Sequence, residues 1–82
     1  MRILSQEGRE AFYDFPYDKC LVYTYGDKKT IKLQPLGEVE SDYTMAIYST
    51  EEKAKKVLDD LIINHRLQRT IFQFPKDEEV EV

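Results

Sequence analysis

The chain has 82 residues, 41% of them hydrophobic and 34% charged, with a formal net charge of −4. That length fits one domain and excludes two, while six Tyr and four Phe argue against a disordered chain. Four carboxylates lie in the last six residues (Asp77, Glu78, Glu79, Glu81), and no basic stripe is present to neutralise phosphates, so direct nucleic-acid binding is not expected.

A domain of this size buries only about 60 to 65% of the surface its unfolded chain exposes, so association into a homo-oligomer is expected. The single cysteine, Cys20, excludes an internal disulfide and suits a reducing compartment. No run of about 18 apolar residues offers a membrane span, and the start lacks the apolar core of a secretory signal. A cytoplasmic location is expected.

Arg2 to Gln6 and Ala11 to Phe15 read as two short strands around a turn at Glu7 and Gly8, the second ended by Pro16, with Pro16 to Lys19 as a link. Cys20 to Tyr25 is almost entirely β-branched or aromatic, and Gly26-Asp27-Lys28-Lys29 separates it from the alternating Thr30 to Gln34. This is a hairpin in which Ile31 and Leu33 face the core while Thr30, Lys32 and Gln34 face water. Pro35 to Asp42 reads as a surface connection, followed by a strand over Tyr43 to Tyr48 whose Tyr43, Met45 and Ile47 are expected to face the helix.

Ser49-Thr50-Glu51-Glu52 has the form of a capping box, with Ser49 as the cap of a helix over about 50–65. From there Ala54, Val57, Leu58, Leu61 and Ile62 recur at the spacing of one helical face. Full burial of the four larger members is worth on the order of 6 to 12 kcal/mol before entropy. Acids at Glu51 and Glu52 and bases at His65 and Arg66 follow the macrodipole. Thr70 to Phe74 forms the last strand, stopped by Pro75, and residues 76–82 form an acidic tail expected to be flexible rather than an added edge strand. The order β-β-β-β-β-α-β predicts an α+β domain: a twisted antiparallel sheet of five to six short strands with one amphipathic helix packed on one face, over residues 1–75.

Little in this inventory supports chemistry. One His and one Cys leave few nucleophile–base pairings, and cannot make the usual structural zinc set. No calcium-loop spacing and no glycine-rich phosphate loop occurs. No catalytic residue, metal or cofactor is expected, and the chain reads as non-enzymatic. Binding remains. Arg66, His65 and Arg69, flanking the helix-to-strand connection beside Phe72 and Phe74, either offer charge and stacking for an anionic ligand or sit in solvent and answer the acidic tail. The six tyrosines, Tyr23 and Tyr25 among them, suit either a surface that contacts a partner or ordinary strand packing, and Asp59 and Asp60 read as a solvated helix face.

Three stretches add a further pointer: Met1-Arg2-Ile3-Leu4-Ser5-Gln6-Glu7-Gly8, Tyr48-Ser49-Thr50-Glu51-Glu52-Lys53-Ala54, and Phe72-Gln73-Phe74-Pro75-Lys76-Asp77-Glu78-Glu79. Their order and spacing resemble short proteins carried by prophages and mobile elements of Gram-positive bacteria. The long insert that some of those proteins carry before the FQFP-like stretch is absent here. The resemblance implies an accessory protein, acting inside the bacterial host cell as an inhibitor of a host defence system. Two mechanisms fit it: an oligomer that sequesters a small anionic signal such as a cyclic nucleotide, with Arg2, Arg66, Arg69, Phe72 and Phe74 as its candidate site, or an acidic protein that binds a host defence protein directly, with Tyr23, Tyr25, Asp59, Asp60, Glu78 and Glu79 as candidate contacts. A structural or assembly subunit whose ligand is its own copy is a third.

Overall fold

The computed structural model describes residues 1–7, 11–14, 20–35 and 42–81. Its elements follow the predicted order: β1 (Arg2–Leu4), β2 (Ala11–Asp14), β3 (Cys20–Thr24), β4 (Thr30–Pro35), β5 (Tyr43–Ile47), α1 (Glu51–Arg66) and β6 (Ile71–Gln73), then a 3-10 turn over Asp77–Glu79. The expected Gly8 turn, the Phe15 strand end, the Pro16 to Lys19 link, residues 36–41 of the connection and Val82 lie outside the described residues.

The strands make two three-stranded sheets, β2-β1-β6 and β3-β4-β5, where one antiparallel sheet was expected. The β3-β4-β5 sheet is the antiparallel meander that short connections favour. In the other, β2 pairs antiparallel with β1, and β6 pairs parallel with β1 on its opposite side. Parallel pairing requires a long crossover. Here almost the whole chain, including α1, lies between the two strands.

The hairpin turn is held by Asp27, whose carboxylate accepts the backbone N–H groups of Lys29 (2.9 Å) and Thr30 (3.0 Å) and the Thr30 hydroxyl (3.0 Å). Those bonds hold its carboxyl below the usual range, the Lys29 amide contributing most. Lys28 closes the turn at φ 61°, in the left-handed region that favours glycine.

On β4, Ile31 and Leu33 are buried as alternation requires. On β5 the expected alternation fails: Met45 and Ala46 are both buried, while Tyr43 and Ile47 are exposed. The register explains this, because Ile31 faces Ala46 but Lys32 faces Thr44, so Met45 is the extra residue of a bulge.

Thr50 caps α1, its hydroxyl accepting the Lys53 amide at 3.2 Å, rather than Ser49 accepting that of Glu52. The Ser49 amide donates instead to Asp77 Oδ1 at 2.7 Å. Ala54, Val57 and Leu61 are buried and Leu58 partly so, but Ile62 is 47% exposed. The stripe is narrower than its spacing implies, and the full burial of Val57 and Leu61 contributes roughly 3 to 6 kcal/mol. The helix ends in a Schellman motif: Gln68 N–H donates to His65 O (3.0 Å) and Arg69 N–H to Asn64 O (3.1 Å), with Gln68 at φ 59°.

The core joins both sheets and the helix through Ile3, Ile31, Leu33, Met45, Val57, Leu61, Phe72 and Phe74. The tail, expected to be flexible, folds onto it: Val80 is buried, and Lys53 Nζ donates to the Asp77 carbonyl at 3.0 Å and its carboxylate at 3.4 Å. Gln6 links the sheets. Its amide donates to Met45 O (2.7 Å), its side-chain Oε1 accepts from Ile47 N (3.1 Å), and Nε2 donates to Ile47 O and Pro75 O, both at 3.2 Å. Its carboxamide therefore acts as one more peptide group along the outer edge of β5.

Candidate binding end

The N-terminus of β1, the C-terminus of α1 and the start of β6 meet at one end of the molecule. Arg2 begins β1, and its backbone N–H donates to Thr70 O at 2.8 Å, so it lies beside the start of β6. Arg66 is the last residue of α1, and Arg69 follows the Schellman turn. All three are exposed; Arg66 and Arg69 form no ion pair among the described residues, and Arg2 lies opposite Asp14 in the β1–β2 register. Arg2, Arg66 and Arg69 thus all occupy exposed positions around the start of β6.

The aromatic half of the expected ligand site is not exposed. Phe72 and Phe74 are core residues, Phe74 fully buried, and their rings meet edge to face with centroids 5.2 Å apart. Neither offers a face to a ligand. Alternation accounts for this: Phe72 on β6 and Phe74, just past its end, share the inner parity, leaving Ile71 and Gln73 outside. Ile71 is 61% exposed, and Leu67 and Ile63, one turn apart near the end of α1, are 60% and 50% exposed. Residue type alone pointed to the aromatics. Assigning the more apolar parity of Thr70 to Phe74 to the core identifies Ile71 as the outward apolar group.

β6 is also an edge strand. Arg2 N bonds to Thr70 O, and Phe74 N donates to Leu4 O at 3.1 Å, so the even-numbered residues direct their backbone groups at β1. In a parallel ladder, the N–H and C=O groups of Ile71 and Gln73 then point away from the sheet.

The expected partner-binding residues are dispersed. Tyr23 donates its hydroxyl to Asp42 Oδ2 at 3.3 Å, and desolvation, with that carboxylate, raises its pKa. Tyr25 is exposed beneath Lys32 Nζ, 4.3 Å from its ring centroid, and Lys32 also pairs with Asp42 at 3.5 Å. Asp59 is exposed in mid-helix and Asp60 half-exposed, its carbonyl accepting Asn64 Nδ2 at 2.7 Å. Glu78 and Glu79 are exposed in the 3-10 turn beside the helix N-terminus, and Glu79 Oε1 accepts the Lys76 amide at 3.1 Å.

A shallow cleft of about 240 Å³ lies between the hairpin turn and α1, lined by Thr24, Lys28, Glu51, Lys55 and Leu58. It is smaller than the roughly 300 Å³ at which small-molecule sites begin, and contains none of the expected residues. Lys28 and Glu51 approach to 4.0 Å there. Among the described residues no three His, Cys, Asp or Glu side chains are grouped to hold a metal, and no helix is long and apolar enough to cross a membrane. Comparison with protein-family models, with curated proteins and with solved structures gives no match.

Proposed function

We propose that this is a non-enzymatic binding protein that works through protein contacts made by its basic end, and that it serves a mobile element inside a bacterial cell by restraining a host defence system. The supporting observation is the combination at that end: three exposed arginines, Arg66 and Arg69 without an ion pair among the described residues, with an outward Ile71 and an edge strand. Arginine and exposed apolar groups are what interface centres are enriched in, and an open edge supplies main-chain bonds. The partner chemistry that fits is an acidic, extended protein segment. The defence role rests on the resemblance of the three sequence stretches.

A second reading, an oligomer that sequesters a small anionic, cyclic-nucleotide-like signal, is favoured by the exposed positions of Arg2, Arg66 and Arg69 around the start of β6. With Phe72 and Phe74 in the core it would proceed through phosphate contacts without stacking on those rings.

The test is plating efficiency of phage on cells carrying each of a panel of defence systems, with the wild type or the Arg66→Ala/Arg69→Ala variant co-expressed. Restoration of plating by the wild type against one system, lost in the variant, supports the proposal. No restoration against any system refutes the defence role, and equal restoration by the variant removes the arginines from it.

A further inference from the structure

We infer that the basic end has a partner in a second copy of this chain, joined edge to edge through β6. This rests on the reading of that end as a protein-binding surface, and names an occupant for it.

Three observations carry it. First, β6 is open: Ile71 and Gln73 direct their backbone groups away from β1, and neither makes a further bond among the described residues. The outer edge of β5 is treated differently, since the Gln6 carboxamide bonds to both backbone groups of Ile47. Second, the exposed face of β6 carries Ile71, an apolar group at an edge that soluble proteins commonly guard with charge or proline.

Third, the flanks of β6 have opposite charge. Arg66 and Arg69 precede it; Lys76 and then the four acids Asp77, Glu78, Glu79 and Glu81 follow it, so that flank is net acidic. Glu78 makes no ion pair among the described residues, and neither arginine does. A two-fold antiparallel pairing centred on Phe72 sets Ile71 opposite the partner's Gln73, and brings the basic flank of each copy to the acidic flank of the other. A parallel pairing would set like charges together. The surface is self-complementary in one orientation, as an isologous dimer requires.

Such a pairing supplies about four main-chain hydrogen bonds from the two outward residues of each strand. Two three-residue strands form a small contact beside the roughly 1,200 Å² of a stable interface, so the dimer belongs to the weak, exchanging class, with Kd on the order of 10 to 100 μM. An acidic target segment then displaces the second copy by competing for the same edge.

The experiment is sedimentation equilibrium of the full chain at several protein and salt concentrations. The wild type is expected to dimerise, more weakly as salt rises. Ile71→Lys, at an exposed position, is expected to weaken dimerisation at least tenfold. Gln73→Pro removes an outward-pointing N–H without breaking a bond to β1, and should do the same. Reversing the basic flank (Arg66→Glu/Arg69→Glu) and the acidic flank (Glu78→Lys/Glu81→Lys) in separate proteins should make each monomeric, and mixing the two should restore a heterodimer.

Circular dichroism of each variant separates lost pairing from lost folding. A wild type that stays monomeric throughout, or a dimer indifferent to Ile71→Lys and the charge reversals, overturns the inference. A monomer that still binds an acidic peptide at this end leaves the functional reading standing and removes only the second copy.

Discussion

Replacing Gln6 tests whether its carboxamide joins the two sheets. The side chain makes three hydrogen bonds, to Ile47 N at 3.1 Å and to Ile47 O and Pro75 O at 3.2 Å. At about 0.5 to 1.5 kcal/mol net for each, and with water able to replace the more exposed ones, Gln6→Ala should cost about 1 to 3 kcal/mol. For a domain of this size that lowers Tm by on the order of 5 to 20 °C. Urea unfolding followed by circular dichroism measures it.

Gln6→Glu sharpens the test, because it keeps the acceptor for Ile47 N but turns a carboxylate towards two carbonyl oxygens. At neutral pH it should cost at least as much as alanine. Facing carbonyls raises the folded-state pKa of the new carboxyl, so the deficit relative to wild type should shrink as pH falls through that pKa. Tyr48 donates to the same Pro75 carbonyl at 2.7 Å, so Gln6→Ala and Tyr48→Phe should be non-additive. A Gln6→Ala variant within about 0.3 kcal/mol of wild type would refute the linking role.

Gln68 sits at φ 59° in the Schellman turn, so Gln68→Gly should raise stability by about 1 kcal/mol, measured as a higher urea midpoint. Thr50→Ala should cost about 1 kcal/mol, and Ser49→Ala much less, because only the Thr50 hydroxyl caps α1. Asp77 and Asp27 both have lowered pKa values, Asp77 chiefly through the Ser49 amide and Asp27 through that of Lys29. Their contribution is present in full above the unfolded carboxylate pKa and is lost as pH falls through the lower folded values. Acid titration of stability should therefore show a smaller loss below pH about 4 in Asp77→Asn than in wild type.

Much of the fold was legible because its elements are locally specified. The β3-β4 hairpin follows from a β-rich run, a Gly-Asp turn and a clean alternation, and α1 from a polar cap followed by helical spacing. The sheet plan was not legible: nothing local to Arg2–Leu4 or Ile71–Gln73 encodes that they pair in parallel across the chain. The bulge at Met45 was equally hidden, since an inserted residue shows only when the partner strand fixes the register. The same limit applies to Gln6 and Asp77, whose roles depend on distant backbone groups, and the acidic composition of the tail concealed Val80 as a core residue. At the basic end, residue type points to Phe72 and Phe74 as ligand contacts, whereas their shared parity in and just past β6 places both inside.

The claim that the molecule works through its basic end is tested most directly by titrating it with a labelled, extended Glu-Val repeat peptide and following fluorescence polarisation. The proposal predicts saturable binding that weakens with salt, falls at least tenfold in Arg66→Ala/Arg69→Ala, and is absent for a Lys-Val peptide of equal length. Equal binding of both peptides, or binding untouched by the arginine substitutions, would contradict it.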